Sequence, residues 1–493
     1  MAIKNIHRLL VFIISICAIA STAYAESGRT DYDLDDDGLI EINSLADLNE
    51  IRNNLDGTTL YGESTGCPVE GCNGFELTTT LDFDTNADGV MDENDTYWND
   101  GEGWEPLGYN SFFVAILDGN GYQIRNLFIQ RPNKQNVGLF SFIKGQTTAI
   151  NNLGLTGKLM SVTGKQYVGS LVGTAQYATI SQSYSTGVVT GEDYVGGLLG
   201  RLFSAEINNS FATGVVTGDF RIGGLVGDAF SSSTLKNSFS TGSVTGNTDV
   251  GGLISYNVST SLFNNHWAKD TSGQEFSSGE SDVNNYFGAT LAELQCPTSS
   301  DDTECLISHT LYASWDATVW DFGTNQELPG LIINGVVYRD SDGDGALDIN
   351  QAPEVTLVLK QDGDVVPDVI VGAGDVTIEA VITDPDVSDV HTLTWTLSDS
   401  SLMGETDNTS ASFSSDNIPD GEYTVAVVAT DNRYSPLSDD ASITFTVERN
   451  ASSAPENSAS SGSSGGGGAL GVFWVLMLSG LMRLRSRRSN IPS

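Results

Sequence analysis

Three stretches of the chain set carboxylates and amides at the intervals a calcium loop requires. The fullest is Asp84-x-Asn86-x-Asp88-Gly89-x-x-Asp92-x-x-Asp95. Oxygen donors fall at loop positions 1, 3, 5, 9 and 12, and Gly89 stands at position 6 for the sharp turn. Val90 offers its carbonyl at position 7, and Asp95 replaces the usual bidentate Glu at position 12. The second stretch is Asp340-x-Asp342-x-Asp344-Gly345-x-x-Asp348. The third is Asp33-x-Asp35-x-Asp37-Gly38-x-x-Glu41, with Ser44 where a final acid would stand. Hard oxygen donors in this order suit Ca2+ over zinc. A solvated acidic turn is the plain alternative.

Other chemistry is sparse. Cys67 and Cys72 have 4 residues between them, and Cys296 and Cys305 have 8. In an exported chain such local pairs read as disulfides. Zinc would need histidines at useful spacing, and the four (His7, His266, His309 and His391) do not supply it. No HExxH motif occurs, and the GxSxG pattern stands only at 62–66 and 462–466, in runs that do not read as the strand-to-helix turn of a nucleophile elbow. The formal charge of -42 and the lack of a basic patch exclude nucleic-acid binding by phosphate neutralisation.

The elements that must position the loops announce themselves as a repeat of about 27 residues. VGSLVG (168–173), VGGLLG (195–200), IGGLVG (222–227) and VGGLIS (250–255) alternate with ISQSYSTG, INNSFATG and LKNSFSTG. An apolar column runs Ile124, Ile150, Ile180, Ile207, Leu235, Phe263. Two residues on comes a polar column: Asn126, Asn152, Gln182, Asn209, Asn237, Asn265. Two further lies an aromatic one: Tyr184, Phe211, Phe239, Trp267. Either all three columns share the coil interior, with the amides as a ladder, or the amides mark a corner. Helical periodicity is absent, and a propeller blade needs about 40 residues or more. The fold class is therefore all-β: a parallel β-helix with three short strands per coil. LIEI (39–42) reads as a strand. Residues 44–55 read as a helix capped by Ser44, with Leu45, Leu48, Ile51 and Leu55 on the face that covers the open end.

These repeats resemble the GLUG-motif repeat of bacterial surface proteins, some of them immunoglobulin-degrading peptidases. The resemblance covers about 137–273; GWEPLG (103–108), LDGNGYQIRNLFI (117–129) and WDFGTNQELPGL (320–331) are similar to its flanks. The first acidic loop resembles dockerin loops, and the second thrombospondin type 3 or dockerin repeats. Beyond them, alternating runs over 351–448, with Trp395 and Tyr423, resemble a cadherin- or PKD-type immunoglobulin-like sandwich.

The ends read as addresses. Lys4, Arg8, LLVFIISICAIA (9–20) and the cleavage site ending at Ala25 form a secretory signal, to be removed by signal peptidase. At the other end, Gly465, Gly466, Gly467 and Gly468 precede an apolar stretch and RLRSRR (483–488). This resembles the GlyGly-CTERM tail of Gram-negative bacteria. The resemblance implies cleavage by a rhombosortase-like protease and delivery by type II secretion. The expected organisation is signal 1–25, cap 26–103, β-helix 104–338 with an insertion at 268–316, calcium-loop linker 339–350, sandwich 351–448, Ser/Gly linker 449–468 and sorting tail 469–488. A short helix is expected near LAEL (291–294).

The expected function is that of a non-enzymatic, calcium-stabilised surface protein, adhesin-like in binding glycans or cell surfaces. The alternative is a carbohydrate-active β-helix enzyme, a lyase or hydrolase, using Asp270, Glu275, Asp282 or Asp316 of the insertion.

Overall fold

A computed structural model describes residues 29–279, 287–295, 311–323, 327–348, 350–384, 390–402, 405–431 and 436–448. The repeat winds into a parallel β-solenoid. Between 116 and 258 the chain makes five coils. Each coil lays down five short strands and so contributes to five sheets, where three strands were expected. Glycine pairs and Asn corners cut the coil into pieces of two to five residues.

Pairing is in register, like residue on like residue. Leu117, Ile150, Ile180, Ile207, Leu235 and Leu262 form the first apolar column, all buried. Its two ends differ from the expectation. The first coil takes 33 residues from Leu117 to Ile150, so counting back one period lands on Ile124, which pairs with Leu155 in the next sheet. Phe263 points outward and is exposed.

The amides mark a corner. Asn152, Gln182, Asn209, Asn237 and Asn264 all have positive φ, a conformation Asn tolerates better than most residues. They also form a partial ladder: the Asn237 side chain donates to Asn209 at 3.3 Å, and Asn264 donates to Asn237 at 3.4 Å. Asn126 follows Ile124 into the neighbouring sheet. Asn265 sits one place past the corner, in a buried column with Ser183, Ser210 and Ser238. There each side-chain oxygen accepts the backbone N–H of the coil before it, at 3.1–3.3 Å. The buried column is thereby satisfied.

The corner turns the aromatic column outward. Tyr184 stacks on Phe211 at 4.9 Å and Phe211 on Phe239 at 5.1 Å, nearly parallel. His266 continues the column, paired with Phe239, while Trp267 pairs with Ser240 and joins the solenoid core. These outward rings are nevertheless buried. Trp320–Asp321, Gly330–Ile333 and Val336–Tyr338 form a three-stranded antiparallel sheet along the flank, and Trp315, Trp320, Leu331 and Tyr338 cover the rings. Trp320 Nε1 donates to Asn209 Oδ1 at 3.2 Å, and Trp315 Nε1 to the Asn264 carbonyl at 2.9 Å. The flank therefore reads the corner column directly.

At the N-terminal end, Leu39–Ile42 and Gly74–Leu77 add two strands to the first sheet. The expected helix is Leu45–Glu50, continued as a 3-10 turn, Ile51–Asn53. Ser44 Oγ accepts from Asp47 N at 3.1 Å, and Leu48 and Ile51 enter the core. The short helix in the insertion is Leu291–Leu294, with a capping box of Thr290 and Glu293. Beyond residue 353, a five-stranded and a four-stranded sheet are consistent with the expected sandwich. Tyr423 Oη donates to the Pro419 carbonyl at 2.8 Å, a tyrosine corner. Trp395 is only half-buried, because it lies on an edge strand.

The Gly columns hold the coils at close approach. A Cβ on Gly200 would lie 2.3 Å from the Tyr167 carbonyl carbon, and one on Gly227 would lie 2.5 Å from the Gly200 oxygen. Backbone cannot yield there without parting two coils. Gly200→Ala should therefore cost about 2–3 kcal/mol. Thermal melting checks this, and an unchanged melting temperature would contradict the close approach.

Candidate functional site: an aromatic face and three acidic loops

Aromatic and charged side chains gather on the outer face of the sheet formed by Phe140–Lys144, Val172–Gln176, Leu199–Phe203, Val226–Phe230 and Ile254–Val258. Five strands at ~4.8 Å spacing make a face about 19 Å across the strands. One outward column reads Phe142, Thr174, Arg201, Asp228, Tyr256. The next reads Lys144, Gln176, Phe203, Phe230, Val258. Phe203 and Phe230 meet at 4.8 Å, Phe112 and Phe142 at 4.8 Å, and Tyr177 meets Phe203 edge-on at 6.0 Å. Phe112 and Tyr177 are each 44% exposed.

A third column, Asn136, Tyr167, Tyr194, Arg221 and Asp249, leans onto this face from the neighbouring corner. All five have positive φ. Asn and Asp accept that conformation; for Tyr167, Tyr194 and Arg221 it costs about 1 kcal/mol or more each. The strain turns their side chains toward the face. The Arg201 guanidinium lies 3.9 Å from the Tyr167 ring centre, and that of Arg221 lies 3.7 Å from Tyr256. Tyr167 and Tyr194 stack at 4.8 Å. Asp228 lies between the two arginines, 3.5 Å from Arg201 and 3.4 Å from Arg221. Burial pushes its carboxyl up, and the two guanidiniums pull it back. At the edge of the face a hollow of about 200 Å³ is lined by Arg52, Glu105, Tyr109, Asn110 and Ser111. No repeat motif marks this face, because its residues change type from coil to coil.

The three acidic loops take different forms. In the 84–95 loop the carboxylates accept backbone amides, as Asp33 accepts from Asp37 N and Gly38 N at 3.0 and 2.9 Å in the 33–41 loop. Asp84 accepts from Asp88 N and Gly89 N at 3.2 and 3.0 Å. Asn86 Oδ1 accepts from Asp88 N at 3.0 Å, and Asp88 from Val90 N at 2.9 Å. Asp95, buried, closes the loop by accepting from Thr85 N at 2.7 Å and Asp92 N at 2.9 Å.

In the 340–348 loop Asp340, Asp342 and Asp344 bring carboxylate oxygens within 4.8 Å of one another. The loop is docked on the coils. Thr213 Oγ1 donates to Asp340 at 2.6 Å, Thr186 Oγ1 donates to the Gly345 carbonyl at 2.7 Å, and Lys158 pairs with Asp344 at 2.7 Å. Burial pushes Asp340 up to about 7 against the bonds from Thr213 and Gly343. Asp348 is also raised by burial and accepts from Ser341 N at 2.6 Å.

In the 33–41 loop Asp33, Asp35 and Asp37 converge in the same way. Glu41 lies beside them, and Glu76, which no sequence motif flags, comes within 4.8 Å of Asp35 and Glu41. Burial first, then Asp37, Asp35, Glu41 and Asp118, pushes Glu76 up to about 7. Cys67 and Cys72 are disulfide-bonded next to this loop.

Cys296, Cys305, Ala25, Gly465 to Gly468 and Asp282 lie outside the described residues. Asp270 accepts from Leu291 N, Glu275 pairs with Lys269 at 3.7 Å, and Asp316 caps Thr318 N. The three are each held in local structure.

No family model matches the chain. A Gly-rich membrane protein of Evansella cellulosilytica is 43% identical over 75 residues, 15% of this chain and 9% of that protein. Halomucin of Haloquadratum walsbyi is 31% identical over 153 residues, 30% of this chain and 1% of its own length. The chain thus spans less than a tenth of the length of either relative. Among the described residues no helix is long and apolar enough to cross a membrane.

Calcium should raise the melting temperature of the full chain. A site of Kd ~10⁻⁴ M adds about 2.7 kcal/mol at one hundred times that concentration. Coincident melting curves in 10 mM calcium and in chelator would contradict this, as the ~10 mM test level saturates such sites.

Proposed function

We propose that this chain is a non-enzymatic, calcium-stabilised protein of the cell surface that binds glycans through the aromatic face of its solenoid. The carrying observation is the row of aromatic rings and guanidiniums presented by the strained column Tyr167, Tyr194 and Arg221 beside Arg201, Asp228 and Tyr256. The apolar face of a sugar ring stacks on an aromatic ring, and its hydroxyls bond to planar guanidinium groups. Tyr177, exposed, and Phe203, half-buried, add aromatic surface beside that row. Because rungs recur at ~4.8 Å, a polymeric glycan would meet several of them at once, and weak contacts would add by avidity.

Surface location is supported by the names of the two relatives, a membrane protein and a halomucin. The GLUG-like repeat and the two ends support it as well. On this reading signal peptidase cuts after Ala25, a rhombosortase-like protease cuts near Gly465–Gly468, and type II secretion delivers the chain to the outer surface. The sandwich serves as a stalk.

A glycan array with the full chain tests the proposal. Binding is expected, and the double variant Tyr177→Ala, Phe203→Ala should weaken it at least 10-fold with melting unchanged. Absence of binding to any glycan would overturn the ligand class. Release of reducing sugar from a bound polysaccharide would overturn the non-enzymatic reading.

A further inference from the structure

The strand pairs at the cap end bring three acids into one column. Glu41 pairs with Glu76, and Glu76 with Asp118, in parallel register. Their neighbours Ile40, Ile42, Phe75, Leu77 and Leu117 fill the core, so the three acids point outward. Outward residues are ordinarily wet. Here the loop of Asp33–Asp37 lies over them, leaving Glu41 3% and Glu76 7% exposed. Three stacked carboxylates repel one another, and burial removes the water that would screen them.

Asp118 is half-buried and accepts from Asn120 N at 2.7 Å and from the Asn152 amide at 3.1 and 3.2 Å, but partners within the chain do not offset the burial of Glu41 and Glu76. Glu41 Oε1 accepts from Leu34 N. Glu41 Oε2 is buried with no hydrogen-bond partner. Glu76 receives one long bond from Asn120 at 3.3 Å. Arg29 is directed to Asp47, reaching only the backbone carbonyl of Glu41. An orphan carboxylate oxygen facing converging carboxylates is a place for a cation. Every donor is a hard oxygen, since the nearby cysteines are locked in a disulfide.

We propose that a divalent cation of the calcium type is held between the cap loop and the solenoid strands, by Asp35, Glu41 and Glu76, with Asp33 and Asp37 completing the loop side. The cation thereby staples the loop to two strands far apart in sequence. The proposal rests on the calcium-stabilised part of the reading above, and it deepens that part by naming a ligand that no loop motif contains.

Isothermal titration of the full chain with calcium separates the two. Wild type, Glu76→Gln, Glu41→Gln and, as control, Asp344→Asn are compared at pH 8. Glu76→Gln and Glu41→Gln should each lose one site or weaken it at least 10-fold, while Asp344→Asn keeps that site. In chelator, Glu76→Gln should melt at or above the wild-type temperature, because a buried repulsive charge is gone. That same measurement shows the variant is folded. Wild-type stoichiometry and affinity in both Gln variants would overturn this site while leaving the other calcium loops standing. Absence of calcium binding by wild type would overturn both this site and the wider calcium reading.

Discussion

Parallel pairing in register governs everything else in this molecule. Each coil sets its residues directly over the equivalents in the coil before, one strand spacing away. Any residue type is thereby repeated into a column, and the column must be tolerable as a column. Apolar columns stack well, as Ile150, Ile180, Ile207 and Leu235 do. Ser183, Ser210 and Ser238 stack because each oxygen accepts a backbone amide of the preceding coil. Aromatic rings stack face to face and then need a cover, which the returning flank provides. Charges stack only with help. On the aromatic face Asp228 is interleaved with Arg201 and Arg221. At the cap Glu41, Glu76 and Asp118 have no such interleaving.

The columns break on one face of the coils. Through the coils the repeated residues account for themselves as core, corner and close approach. The face around Tyr167, Arg201, Phe203 and Tyr256 is different: its columns mix aromatic, charged and polar residues, and three bulky residues hold a costly backbone conformation. A scaffold needs neither feature. Variation on a rigid repeat is how a solenoid presents a specific surface.

The repeat made the solenoid legible, because its glycines and β-branched residues recur at one period. The corner was one of two readings left open, and positive φ at Asn152 through Asn264 decides for it. Period counting failed at the ends, where a longer first coil shifts Ile124 and Asn126 by one sheet. The five-strand coil was hidden because pieces of two or three residues carry no periodicity of their own. Of the acidic loops, 84–95 has the fullest spacing, and its carboxylates accept the loop's own amides as those of the other two loops do. Spacing within one loop cannot reveal a ligand from another strand. Glu76 lies 35 residues beyond Glu41 and meets it only through parallel register. The aromatic flank was missed for the same reason: Trp315, Trp320 and Tyr338 reach their column from outside the repeat.

Amide hydrogen exchange on the full chain, with calcium and with chelator, tests most directly whether a cation completes the acid column at the cap. Stacking with a shared cation predicts exchange in Leu39–Ile42 and Gly74–Leu77 at least 10-fold slower with calcium, while the strands between 188 and 245 exchange alike in both. Equal exchange at the cap in both conditions, or a uniform change along all coils, would contradict it.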